Sequence, residues 1–232
     1  CVAATLAVTC AVALLVAWLR THAPDGDDVH WIKDVLAPDG AVLKNVLVPR
    51  VPGTDGHAAV RGYIATQLAR SGWDVHTDDF SHGGVPMANV VAAMHAAGGP
   101  GPRTVLAAHY DSKASVTDGT RDGFLGATDA AWSVALLLAL SRRLPSVLST
   151  LSAPQTVELV FFDGEETQAP APAGAAVATF WSDADALLGS RHLAARWEAA
   201  GRLADIRLFV LLDLLGARDM ALRSMFPETR PH

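Results

Sequence analysis

Short apolar runs of strand length punctuate this chain, and three of them run directly into His109, Asp163 and Asp213. The runs are Asn89–Met94 (NVVAAM), Thr104–Ala108 (TVLAA), Val157–Phe162 (VELVFF) and Leu208–Leu212 (LFVLL). Gly, Pro and polar residues bound them, as expected of strands buried on both faces. Helical patterns lie between them. In residues 57–71 Val60, Ile64 and Leu68 share one face, and Gly72 follows as a stop. Ala130–Leu144 is strongly apolar, and Pro145 is expected to end it. Asp185–Trp197 is amphipathic, with Asp185 as the expected N-cap. Strands alternating with helices predict an α/β domain, a sheet with helices on both faces.

Composition narrows the function classes. The net charge of −6 leaves no electrostatic footprint for nucleic acid, and 50% hydrophobic with 18% charged residues excludes disorder throughout. No fixed-period repeat is present, which excludes a solenoid or propeller. The two cysteines, Cys1 and Cys10, both lie in the opening apolar run. The body of the chain therefore has no disulfide framework and no thiolate zinc site, so a metal there must use His, Asp or Glu.

Residues 2–19 (VAATLAVTCAVALLVAWL) carry no charge, and Arg20 closes them. Eighteen helical residues rise about 27 Å, close to the hydrocarbon thickness of a bilayer. Trp18 and Arg20 sit together as interfacial anchors do. The segment is read first as a signal-anchor helix; a cleaved signal peptide and a buried core helix are the alternatives. Expected boundaries are 1–20 for this segment, 21–42 for a linker and lead-in, and 43–232 for the α/β domain. The Ala/Pro-rich stretch 167–180 reads as a surface loop insertion.

The chemistry gathers where the elements end. His109-Tyr110-Asp111 follows one strand, Asp163-Gly164-Glu165-Glu166 another, and Asp213 a third; Asp129 opens the long helix after Gly126-Ala127-Thr128. In open α/β sheets ligands bind beyond the carboxyl ends of the strands, so these groups are expected on one rim. Several carboxylates at one site repel, and a divalent cation removes the conflict. With Glu165 and Glu166 adjacent, one can coordinate while the other acts as general base. Taken singly, DGEE could be a solvated turn, Asp129 a helix N-terminal acid, and Asp213 a hydrogen-bonded buried carboxylate.

The stretches AHYDSK (108–113), GATDAA (126–131), FFDGEE (161–166), LLGSRHLAARW (187–197) and LLDLLGA (211–217) carry a resemblance. In kind and order they resemble the glutaminyl-peptide cyclotransferases, which are similar to M28-class zinc aminopeptidases. The resemblance implies a central mixed, mostly parallel sheet and a zinc cofactor. It implies Asp129 and Glu166 as zinc ligands, Glu165 as general acid/base, Asp213 as a second catalytic acid, and Trp181 lining the substrate pocket. His109 and Asp111 are implied to lie close by. They are not ligands in the cyclases, but their counterparts coordinate in two-metal aminopeptidases. The family's third zinc ligand is a His well beyond the LLDLLGA stretch; His232 comes too early, so the domain is expected to be C-terminally incomplete. Where relatives often carry a disulfide, Ala108 and Val134 stand here.

The implied reaction converts N-terminal Gln of peptides or proteins to pyroglutamate with release of ammonia. An M28-type aminopeptidase, and a silent fragment lacking a zinc ligand, are the alternatives. The expected partners are such peptides, with no nucleic acid, and a membrane through residues 2–19 if uncleaved; oligomeric state is left open. The expected location is the secretory pathway, Golgi-anchored or secreted. His192, on a helix, is expected to be a packing or surface residue.

Overall fold

The structure, a computed structural model, describes residues 35–114, 124–167 and 181–217. The 2–19 segment, most of the 167–180 insertion and His232 lie outside these residues. Five strands form one mixed sheet: β1 Asp74–His82, β2 Val85–His95, β3 Arg103–His109, β4 Thr156–Phe162 and β5 Ile206–Leu211, in the order β1-β2-β4-β3-β5. The β1–β2 and β2–β4 pairings are antiparallel, and β3–β4 and β3–β5 are parallel. The described pairings thus divide evenly, although β2 alone runs opposite to the other four strands.

Among the described residues three α-helices cover the sheet: α1 Asp55–Arg70, α2 Trp132–Leu148 and α3 Leu188–Ala199. Strand pleating explains why the central runs are apolar throughout. Val90, Ala92, Ala108, Leu159 and Phe161 pack with Val60, Ile64 and Leu68 of α1 and Val134, Leu137 and Leu138 of α2. Their neighbours Val91, Val105, Ala107, Val160 and Phe162 face the other way, against Leu193 and Trp197 of α3. All seven residues of β4 are buried, because it lies in mid-sheet with both faces covered. Ala108 and Val134 both belong to the first core, as do Val35, Leu36 and Val42.

Two helix boundaries differ from expectation. Pro145 lies inside α2 and does not end it. A proline lacks the N–H that would bond the carbonyl four residues back. That carbonyl, of Ser141, instead accepts the indole N–H of buried Trp73 at 2.8 Å. Asp185 does not cap α3, which starts at Leu188 behind Leu187 at φ +56°. The Asp185 carboxylate is engaged with His82 Nε2 (2.8 Å) and Ser182 Oγ (2.9 Å).

β1 (DVHTDDFSH) has no apolar run and no counterpart in the sequence expectations. It is the outer strand of a hairpin whose turn is Gly83-Gly84, both at positive φ. Two such residues form the tight turn whose twist suits paired strands. The 127–148 stretch is long and apolar enough to cross a membrane, but it is half buried inside the fold. It is a core helix.

α2 leaves β3 on one face, and α3 leaves β4 on the other. The carboxyl ends of these adjacent strands therefore open into a crevice, the switch point where α/β sheets bind ligands.

Candidate metal centre

His109 ends β3 and is 2% exposed. Its Nε2 lies 2.8 Å from Asp129 Oδ1 and 3.6 Å from Asp213 Oδ1, and its Nδ1 lies 3.4 Å from Asp111 Oδ1. One donor atom each from His109, Asp129 and Asp213 lies within 4.8 Å of the others. Three separate elements deliver them. Leu212 N–H donates to Ala107 O at 2.7 Å, which extends the β5–β3 ladder and sets Asp213 beside the end of β3. Asp129 sits in the tight turn before α2, where Ala131 N–H donates to Gly126 O at 3.0 Å. Gly126 is at φ +49°, and a Cβ there would meet Asp129 O at 2.2 Å, so the turn requires glycine. Burial opposes protonation of His109, but hydrogen bonds to Asp111, Asp129 and Asp213 hold it well above the usual imidazole value.

The DGEE turn divides into one inward acid and two at the rim. Asp163 is fully buried. Its Oδ1 meets His57 Nε2 at 2.7 Å, and its Oδ2 accepts from Ala88 N–H (2.8 Å) and Tyr110 Oη (2.7 Å). With both oxygens engaged, Asp163 anchors the end of β4 and does not face the rim. Gly164, at φ +62°, then reverses the chain. The next two amides donate to Asp111: Glu165 N–H to Oδ1 and Glu166 N–H to Oδ2, both at 3.1 Å. Burial pushes the Asp111 carboxyl up, but the His109 hydrogen bond and these amides hold it below the ordinary value.

Glu165 and Glu166 are both pushed up to about 7. For Glu165 the chief cause is burial, with Asp111, Glu166 and Asp213 adding repulsion. For Glu166 it is burial, with repulsion from Asp129 and Asp111, eased by Lys113 Nζ at 3.4 Å. Asp129 and Glu166 thus share the same rim. Trp181 is 41% exposed; its indole N–H donates to Asp183 Oδ1 at 2.8 Å, and its ring centroid lies 6.0 Å from Lys113 Nζ. His192 lies away from the rim, against Asp78 (2.9 Å) and stacked on Phe80.

The five residues expected at the site occupy one region. Asp129 and Asp213 join His109 in the close donor group; Glu165 and Glu166 crowd beside it; Trp181 borders it through Lys113. His109 is expected on this rim from its strand-end position, as a ligand only in the aminopeptidase alternative, and the structure sets it in the close donor group. Lys113 as a counter-charge has no role assigned from the sequence.

The donor chemistry suits a divalent cation. One imidazole nitrogen and two carboxylate oxygens converge, and Asp129 and Asp213 keep about a third of their side-chain surface open, at 34% and 32%. The raised carboxyls next to them are a repulsive cluster that such an ion relieves.

The sequence profile of peptidase family M28 matches residues 89–231. A glutaminyl-peptide cyclotransferase of Drosophila melanogaster is 38% identical over 196 residues, which cover 81% of this chain and 50% of the relative. A glutaminyl-peptide cyclotransferase-like protein of Bos taurus is 37% identical over 202 residues, 81% of this chain and 49% of the relative. The crystal structure of Macrostomum lignano glutaminyl cyclase matches with a TM-score of 0.67 at 31% identity, covering 82% of this chain and 55% of that one. The chain spans about half the length of the curated relatives it matches.

Proposed function

The chain belongs to peptidase family M28, and from that premise we propose that the protein is a zinc-dependent glutaminyl-peptide cyclotransferase. Its substrates are peptides or proteins that begin with Gln. The supporting observation is the gathering of His109, Asp129 and Asp213 donors beside two glutamates poised near neutrality. Asp129 and Glu166 would hold zinc, which when bound supplies a Lewis acid for the side-chain amide carbonyl.

The other steps fall to the protein. The substrate α-amine attacks the side-chain amide carbon, closing the lactam as the carbon–nitrogen bond to the amide nitrogen breaks and ammonia leaves. Glu165 takes a proton from the amine and passes it to the departing nitrogen. A carboxyl near 7 suits both halves of that transfer at neutral pH. Asp213 is the second acid facing the substrate. The exposed Trp181 ring lines the pocket and helps hold amine and amide together, the orientational part of catalysis.

A zinc aminopeptidase is the second reading. The observation in its favour is His109 inside the close donor group, which suits a site for two ions. Metal counting and product analysis on purified protein separate the readings. One zinc per chain, with a Gln-initiated peptide turned to pyroglutamyl product and loss of activity on chelation, supports the cyclase. Two zinc ions and release of free N-terminal residues support the peptidase. No bound metal in active protein overturns both. We further propose that residues 2–19 direct the protein to the secretory pathway. Retention in the membrane pellet after carbonate washing supports an anchor, release a cleaved signal.

A further inference from the structure

Arg50 is the largest fully buried side chain, at 0% exposure, and it makes no ion pair among the described residues. Every acceptor of its guanidinium is a backbone carbonyl. Nε donates to Tyr110 O at 2.7 Å. Nη1 donates to Val48 O at 3.2 Å and to Leu125 O. Nη2 donates to Gly126 O at 2.9 Å and to Asp129 O at 3.4 Å. Its main chain is tied down as well: its N–H donates to Ser112 Oγ at 3.0 Å, and its carbonyl accepts Ser112 N–H at 3.3 Å.

Except for Val48, these partners belong to two loops. One is the exit from β3, residues 110–112. The other leads through Gly126 to Asp129. The first loop also carries the DGEE turn, because Asp111 accepts both glutamate amides. Arg50 therefore ties Asp129 to the limb on which Glu166 hangs.

Charge alone does not account for this placement. Burial pushes the guanidinium down to about 10, with Asp111, Asp129 and Glu166 pulling it back up. A fixed positive charge among these acids opposes a bound cation. What the guanidinium supplies is a planar fork with donors on three nitrogens, which neither lysine nor an uncharged chain reproduces.

We propose that Arg50 is a positioning residue of the metal centre: its fork fixes the β3 exit loop against the turn carrying Asp129, in the register that lets Asp129 and Glu166 serve one ion. The inference rests on the metal reading above.

The test measures zinc affinity by competition with a chromophoric chelator, on purified protein well below its Tm. Arg50→Lys keeps the charge and loses the fork; Arg50→Met loses both. Both are expected to bind zinc about tenfold or more weakly, the range for groups that orient metal ligands. Trp73→Phe, which breaks the Ser141 contact far from the rim, is expected to lower Tm and leave zinc affinity unchanged.

Zinc affinity in both Arg50 variants within about twofold of wild type would overturn the proposal, since orienting groups move it further. So would tighter binding by Arg50→Met, which would make Arg50 only a counter-charge. If the Arg50 variants do not fold, Ser112→Ala decides. It removes the acceptor of the Arg50 amide and the hydroxyl donor to Phe124 O at 3.4 Å, two ties of the same pair of loops, and a loss of about tenfold supports the role where no change overturns it. Wild-type protein that binds no zinc overturns the metal reading and this inference with it; zinc-binding wild type with unaffected variants overturns this inference alone.

Discussion

Gly189 carries no side chain because two groups beside the rim already fill the space. A Cβ there would stand 2.2 Å from Asn89 Oδ1 and 2.3 Å from Asp163 O. The glycine lets its own N–H reach Asp163 O at 2.9 Å, which docks the start of α3 on the end of β4. Gly189→Ala is expected to destabilise the protein by about 2–3 kcal/mol in denaturant titrations, the cost of forced shifts in a packed interior. A loss below about 0.5 kcal/mol, the size of an ordinary surface change, would show that the contact yields freely. Tyr110 is a related case. Its hydroxyl meets Asp163 Oδ2 at 2.7 Å and Ala88 O at 2.9 Å, and its ring stacks on His57. Tyr110→Phe keeps the ring and removes a donor to a buried carboxylate, so about 1.5–3 kcal/mol of stability is expected to go. Glu165→Gln makes the opposite prediction. Its fold and Tm are retained, while kcat for a Gln-initiated peptide falls by about 10²–10⁴, the usual weight of a general acid/base. Unchanged turnover would remove Glu165 from the proton path.

The α2 helix shows how a local rule is overridden by a partner elsewhere. Pro145 would normally stop or bend the chain, but Trp73 occupies the carbonyl that proline leaves unserved. Pro145→Ala is therefore expected to stabilise by clearly less than the roughly 3 kcal/mol that separates the two residues in a free helix. α3 is latched to β1 by another buried polar group. Asp78, 1% exposed, accepts from Asn89 Nδ2 at 2.8 Å, pairs with His192 Nδ1 at 2.9 Å, and meets Arg196. Burial raises its carboxyl, but these three hydrogen bonds hold it below the ordinary value of 3.8. A carboxyl lowered by folding stabilises above its unfolded pKa, and that contribution disappears as pH falls through the folded one. Asp78→Asn is expected to lose about 2 kcal/mol at pH 7, with the gap to wild type closing below about pH 4. A gap constant from pH 7 to pH 3 would rule the latch out. The same elements show what could be read in advance. Runs buried on both faces are apolar throughout, so β2, β3 and β4 stood out, as did the Val60-Ile64-Leu68 face. β5 also stood out by its apolar run, but its expected burial fails, because it lies at the edge of the described sheet with Leu208, Phe209 and Leu211 exposed. β1 did not, because its sequence DVHTDDFSH is polar and has no apolar run; only Gly83-Gly84 marked its turn. The acids were legible because they follow strands directly. Arg50 was not, because its partners are backbone carbonyls that no sequence pattern records.

Stability and metal binding meet in the sheet as a whole. Neighbouring strands send their helices to opposite faces, so the rim between them is filled by loops and side chains, and its acids repel. In metal-free protein Glu165 and Glu166 sit near 7 against an ordinary 4.5. Between those values the folded state binds more protons than the unfolded one, so stability falls as pH rises across that window. His109 acts in the same sense. Its hydrogen bonds to Asp111, Asp129 and Asp213 outweigh burial and hold it protonated above 6.5, so its contribution also fades as pH rises. A bound divalent ion displaces these protons, and its affinity must therefore grow with pH. The Tm difference between zinc-loaded and chelator-treated protein is thus expected to be small near pH 5 and large at pH 7.5. Once free zinc reaches about a hundred times Kd, the stabilisation should be about 2.7 kcal/mol. In Glu166→Gln the zinc-induced shift should shrink and its pH dependence should weaken, because one of the displaced protons is gone while those of Glu165 and His109 remain. A zinc-induced shift of equal size at both pH values would mean that the acids at the rim are not the groups the ion binds.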